Sequence, residues 1–144
     1  MVTINTRFSV AIHILSLINS SGPKRATSEY IAGSVNTNPV VVRRIMGMLN
    51  KAGLVRTRPG VAGAELGRAL HDITLLDIYK AVLNDPEDEL FAIHSNPNPA
   101  CPVGRNIQAT LEHLFEASQR AMENELSKTT MEAVVSDLQH RING

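Results

Sequence analysis

At 144 residues the chain can build one sizeable core, and with 43% apolar and 19% charged residues it is neither disordered nor fibrous. It has no apolar run near the roughly 18 residues of a spanning helix. It also lacks a basic-then-apolar secretory signal at Met1–Arg7, and its single Cys101 rules out an internal disulfide framework, so a cytoplasmic protein is expected. The formal net charge of +0 conceals a division. Residues 1–70 carry nine Lys/Arg against Glu29 and Glu65, and residues 71–144 carry five against twelve acids. One half facing a polyanion would explain this, as would two separately solvated faces.

The first predicted helix spans residues 6–19, where Phe8, Ile12, Leu15 and Ile18 recur at helical spacing and Ser20-Ser21-Gly22-Pro23 stops it. A short helix over residues 28–35 follows, capped by Thr27 or Ser28. Asn36-Thr37-Asn38 reads as a tight polar turn, with Asn38 as cap and Pro39 as first residue of a two-faced helix over 39–52. Val41, Val42, Ile45, Met46, Met48, Leu49 and Ala52 fall on one arc of this helix. Pro39, Val40, Arg43, Arg44, Gly47, Asn50 and Lys51 fall on the other, and Gly53 ends it.

Residues 54–58 read as a strand, Pro59 to Gly63 as a hairpin turn and residues 64–66 as a weak returning strand. A helix over 73–83 with Thr74 as cap precedes Asp85-Pro86. The proline-rich loop Asn96-Pro97-Asn98-Pro99-Ala100-Cys101-Pro102 breaks the chain. Beyond it a long helix is predicted over 103–128, and a last short one over 130–140. The long helix carries Ile107, Leu111, Leu114, Ser118 and Ala121 at coiled-coil steps, widened by Phe115, Met122 and Leu126.

The predicted fold class is mainly α with a small β-hairpin. Two short helices around a three-residue turn, followed by a hairpin, describe a winged helix-turn-helix whose second helix enters a DNA major groove. On that reading Arg43, Arg44 and Lys51 supply charge, Gly47 permits close approach and Val40 suits a thymine methyl. Thr37 and Asn38 at the helix start can grip a phosphate, whereas Asn50, near the far end, reaches at most a phosphate. Arg56 and Arg58 on the hairpin suit a minor groove or a backbone phosphate. The plain alternatives are a solvated helix face and a hairpin whose arginines sit in water.

The run Asn36-Thr37-Asn38-Pro39-Val40-Val41-Val42-Arg43-Arg44-Ile45, the later Gly53-Leu54-Val55, the glycine-containing wing and Asp72-Ile73-Thr74-Leu75-Leu76-Asp77-Ile78 together resemble the Rrf2 family of winged-helix transcription regulators. The resemblance covers nearly the whole chain. It implies a homodimer on a palindromic operator, a repressor by default, with the long helix crossing to its partner through Ile107, Leu111, Leu114, Ser118, Ala121 and Met122. The stripe itself agrees, because it offers more apolar surface than one chain can cover; the plain alternative, favoured by the polar break at Ser118, is a long helix packed only on its own lobe. The implied division is a DNA-binding domain over 1–83, a sensor or connector loop over 84–102, and dimerisation and C-terminal helices over 103–144.

Family members with an iron–sulfur cluster carry three cysteines in this loop. Cys101 matches the last, while Ser95 and Glu89 stand at the usual spacing of the others and Gly104 replaces a histidine that sometimes follows. No cofactor or metal is therefore expected, and His94 with Cys101 from two chains is the weaker metal alternative. As a lone thiol at the start of the long helix, Cys101 is a candidate redox sensor, its thiolate favoured by free N–H groups and the helix dipole. A relic thiol, with control by a protein partner or a small-molecule effector, is the competing reading. An enzyme is not expected. The stretch from Gly60 to Gly67 lacks the endings of nucleotide-binding loops, and His13, His71, His94, His113 and His140 are scattered.

Overall fold

The computed structural model describes residues 6–22, 26–84 and 88–144 in full and the backbone of Ile4 and Asn5. Pro23, Asp85 and Pro86, read above as helix-ending signals, and residues 1–3 lie outside the described residues. The architecture is mainly helical with one two-stranded antiparallel sheet, as predicted.

Helix α1 (Ile4–Ser21) is longer than its predicted span and turned slightly from it. The fully buried row is Ala11, Ile14, Leu15 and Ile18, while Phe8 and Ile12 are half-buried. Ile12 instead borders a groove against the last helix of the chain. Helix α2 (Ser28–Val35) starts where Thr27 Oγ1 accepts the amide of Tyr30 at 3.2 Å. It ends where Asn36 takes a left-handed φ of 64°, which asparagine tolerates, and its amide donates to Ala32 O at 2.8 Å.

Helix α3 (Pro39–Lys51) is fastened at both ends. Asn38 Oδ1 accepts the Val40 amide at 2.8 Å. At the other end Gly53 has a φ of 77°. Its amide donates to Asn50 O at 3.0 Å, and that of Leu54 to Leu49 O at 2.9 Å, a pair of bonds that closes the helix and turns the chain. Val42, Ile45, Met46 and Leu49 are buried and Val41 and Met48 half-buried. Ala52 departs from the predicted arc: it is the C-cap and exposed.

Strands β1 (Val55–Arg58) and β2 (Val61–Leu66) form the wing. The predicted five-residue turn is replaced by the two residues Pro59 and Gly60, so the return strand begins at Val61. Arg58 pairs with Val61 and Arg56 with Glu65. Thr57 thus lies opposite Ala62, Gly63 and Ala64, and Gly63, at a φ of 95°, absorbs the bulge. The sequence reading treated Gly63 as part of the turn because a bulge glycine and a turn glycine look alike in one dimension.

A 3₁₀ turn at Leu70–Asp72, not anticipated, leads to α4 (Leu75–Val82). Thr74 and Asp77 cap α4 reciprocally: the Thr74 amide donates to Asp77 Oδ2 at 3.0 Å and the Asp77 amide to Thr74 Oγ1 at 3.1 Å. Ile73 lies outside the helix, contrary to prediction, because its carbonyl accepts the Met131 amide at 2.8 Å while the Leu75 amide donates to Thr129 O at 2.9 Å. This two-residue antiparallel bridge joins the starts of α4 and of the last helix, α6 (Met131–Asn143), which runs three residues past its predicted end. Between them lies α5 (Pro102–Ser127).

The core draws Ile14 and Leu15, Ile31, Ile45 and Leu49, Leu54, Ile78 and Val82, and Met131 from every helix except α5. Arg7, counted above among the cations of the first half, is an internal tie. Its guanidinium donates to Val82 O at the end of α4 and pairs with Asp88 at 3.2 Å.

Gly67 carries a packing constraint: a Cβ there would lie 2.2 Å from Gly53 O, on the backbone that closes α3. Gly47, in mid-helix, has open space at the same position. Gly67→Ala is expected to lower stability by about 2 kcal/mol, and Gly47→Ala to raise it by about 0.5–1 kcal/mol, both read from urea unfolding midpoints.

Candidate nucleic-acid interface

The outward face of α3 follows from the burial of its other face. Arg43, Gly47 and Asn50 step along one line of the exposed surface. With Ser28 and Glu29 at the start of α2 and Thr57 and Gly63 of the wing they line a concavity of about 490 Å³. Thr37 is half-buried in the turn, Asn38 is exposed and spends its side chain on the cap, and Val40 is 62% exposed. Lys51 is exposed in the last turn of α3, and Arg56 and Arg58 are exposed on β1.

Not all of the sequence-derived set converges. Arg44 is turned away from the concavity, onto a small hollow shared with Arg7, Val41 and Asn84. Sequence reasoning gave Asn50 only a marginal role, yet it lines the central hollow with Arg43 and Gly47. Its spacing of seven from Arg43 and three from Gly47 was the available signal. Ser28, Glu29 and Thr57 were missed because they come from other elements. Glu29 lies 3.5 Å from Arg43, and Glu65 lies 3.8 Å from Arg58.

The second region is the entry to α5. Asn98 shapes it: Oδ1 accepts the Ala100 amide at 2.9 Å and the backbone carbonyl accepts the Cys101 amide at 3.2 Å. Gly104 allows this, since a Cβ there would stand 2.5 Å from Asn98 O. Cys101 is the N-cap residue of α5, exposed, and its sulfur accepts no capping bond. Upstream, Phe91 packs on Phe115 with ring centroids 5.8 Å apart, laying the loop along α5. None of the 26 residues of α5 is buried. Ile107, Leu111, Ser118 and Met122 are partly covered, Ala121 is exposed, and Leu114 is 60% exposed.

A helix-turn-helix whose second helix presents a basic, open face beside a short β-hairpin defines a winged-helix protein. The profile of the Rrf2 family, iron-dependent transcriptional regulators, matches residues 4–137, and the chain belongs to this family. It is 53% identical over 135 residues to YwnA of Bacillus subtilis (strain 168), described as an HTH-type transcriptional regulator, covering 94% of this chain and 98% of that protein. A crystal structure described as that of a DNA-binding protein shares 47% identity and a TM-score of 0.72, over 89% of this chain and 97% of the other. CymR, the global cysteine regulator of B. subtilis, has the same fold at 21% identity and a TM-score of 0.63, over 94% of this chain and 98% of its own. These relatives are named as regulators or DNA-binding proteins, not as enzymes.

The family description implies iron, and the donor set of this chain does not fit an iron–sulfur cluster. Cys101 supplies the one thiolate, Ser95 and Glu89 occupy the spacing of the missing ones, and no group of three or more His, Cys, Asp or Glu able to hold a metal occurs among the described residues. No described helix is long and apolar enough to cross a membrane.

Proposed function

We propose that this Rrf2 regulator acts as a homodimer that lays α3 into the DNA major groove of a palindromic operator and represses by obstruction. The observation that carries this reading is the face of α3. Arg43, Gly47 and Asn50 stand open to solvent beside the wing, in a shape and charge that suit a groove edge and its phosphates. Thr37 in the turn before α3 suits a phosphate, whereas Asn38 and the Val40 and Val41 amides are already joined in the cap and reach a phosphate only through a shared bond. Arg56 and Arg58 suit a phosphate or the minor groove. Val40 suits a thymine methyl, and Lys51 and Arg44 the flanking backbone.

The dimer reading is supported by α5. A helix of 26 residues is about 39 Å long and buries no residue within its own chain. The stripe Ile107, Leu111, Leu114, Ser118, Ala121 and Met122 suits a twofold mate, with Ser118 small enough for close approach. In this reading residues 1–83 bind DNA, 84–102 connect and sense, and 103–144 carry the dimer helix. Met131 and Val135 of α6 pack into the core of the first lobe, so the C-terminal end of α5 is tied to that core. Control passes through Cys101, exposed at the N-cap of α5. There, oxidation to a sulfenic acid, or to a disulfide with the partner's thiol, would alter the spacing of the two α3 helices.

The affinity for a duplex selected by the protein from a random pool is expected to fall steeply with salt. Arg43→Ala should weaken it by about 1–3 kcal/mol, selectively if the guanidinium reads a base and on all duplexes alike if it holds a phosphate. Leu114→Glu should convert the dimer to a monomer in sedimentation equilibrium with unchanged helicity, and abolish cooperative binding to paired half-sites. Diamide should release wild-type protein from the selected duplex and leave Cys101→Ser bound; equal responses remove the thiol from control.

A further inference from the structure

Residues 1–70 hold two carboxylates, Glu29 and Glu65. Both lie on the surface assigned above to DNA, and both are paired to its arginines. Glu29 Oε1 is 3.5 Å from Arg43 Nη1, and Glu65 Oε1 is 3.8 Å from Arg58 Nη2. Glu65 is also the cross-strand register partner of Arg56, so this carboxylate stands on the strand that faces both wing arginines. Neither pair holds the fold together. The side chains of Arg43 and Glu29 are 55% and 73% exposed, those of Arg58 and Glu65 77% and 40%, and pairs this open contribute little to stability. A surface evolved only to attract a polyanion has no use for two carboxylates at its cationic points.

We propose that Glu29 and Glu65 set specificity by acting as internal anions that compete with phosphate for Arg43 and Arg58. The proposal rests on the DNA-binding reading. In the free protein each guanidinium already has a carboxylate partner. On an arbitrary duplex, exchanging that carboxylate for a phosphate leaves a bare negative charge beside the backbone. The Arg–Glu pair as a whole then neutralises almost no phosphate and releases few counterions. At the cognate site the Arg43 guanidinium finds the paired acceptors of a guanine edge in the major groove, and the Arg58 guanidinium a narrow minor groove whose potential a single phosphate oxygen does not match, so the exchange becomes favourable. The carboxylates thus depress binding to all sequences while sparing the right one. Glu29 does so within the same concavity as Gly47 and Asn50, on the groove-reading side of α3.

The test uses the full-length protein and two labelled duplexes of equal composition, one selected from a random pool by the wild type and one scrambled, titrated by fluorescence anisotropy across a salt series. Glu29→Gln combined with Glu65→Gln should bind the scrambled duplex roughly tenfold tighter, with a log–log salt slope steeper by about 1–2. Binding to the selected duplex should tighten much less, so that the ratio of the two affinities falls. Glu29→Asp, which keeps the charge, should hold the wild-type ratio. Glu112→Gln combined with Glu116→Gln on α5 changes net charge equally away from this face and should leave both affinities in place.

Scrambled-duplex binding and slope that do not change in the Glu29/Glu65 variant overturn the proposal. So does an equal gain on both duplexes, or an equal effect of the α5 variant, which would make net charge the cause. A wild type that retains neither duplex at low salt removes the DNA-binding reading and this inference with it. A wild type that discriminates, with a ratio indifferent to both carboxylates, removes this inference alone.

Discussion

The orientation of α3 is the constraint on which the rest of the structure turns. Val42, Ile45, Met46 and Leu49 must leave water, and the pocket that receives them is built from α1, α2, α4 and the wing. Once that face is inward, the opposite face with Arg43, Gly47 and Asn50 has no freedom to be anything but outward. The ends of the helix are equally determined. Asn38 fixes where it begins and Gly53 where it stops, and the two bonds that close it at Gly53 aim the chain directly into the wing. Gly67 then returns against Gly53, so the base of the wing and the end of α3 form one rigid joint.

A second constraint decides the layout of the other half. The backbone bridge between Thr74 and Thr130 brings the starts of α4 and α6 together. Both threonines already serve as helix caps, so two helix starts and a chain crossing are satisfied in one place. The consequence is that α6 belongs to the core through Met131 and Val135, while α5, which precedes it, contributes no residue to that core. None of the residues of α5 is buried, so its apolar stripe stays at least partly open to solvent while the same topology closes the core.

The electrostatics are less one-sided than the charge count of the two halves suggests. Arg7 is withdrawn into a tie between α4 and Asp88, and Arg68 stands 3.4 Å from Asp77. The cations left on the outer face of α3 and on the wing are concentrated there, and the two carboxylates of the first half sit among them. The family's description as iron-dependent and the single Cys101 diverge, and the loop before α5 is shaped by Asn98 and Gly104.

Much of the fold and part of the site were legible in the sequence. Helix propensity, periodicity and capping act over a few residues, and so Thr27, Asn38, Gly53, Thr74 and Thr130 could be read as the boundaries they prove to be, along with the basic face of α3. What escaped depends on groups far apart in the chain. The turn of α1 about its axis reflects α6 packing beside Ile12, and the early start of β2 reflects the pairing of Arg58 with Val61. The turning away of Arg44 and the pairing of Glu29 with Arg43 likewise need the packed elements around α3. The sequence by itself determined which segments are helices and which of their faces are apolar, because those properties are local. Only the tertiary structure decided which faces meet and which charges become neighbours, because burial and Coulomb interaction act on distance in space, which the spacing of residues along a chain does not specify.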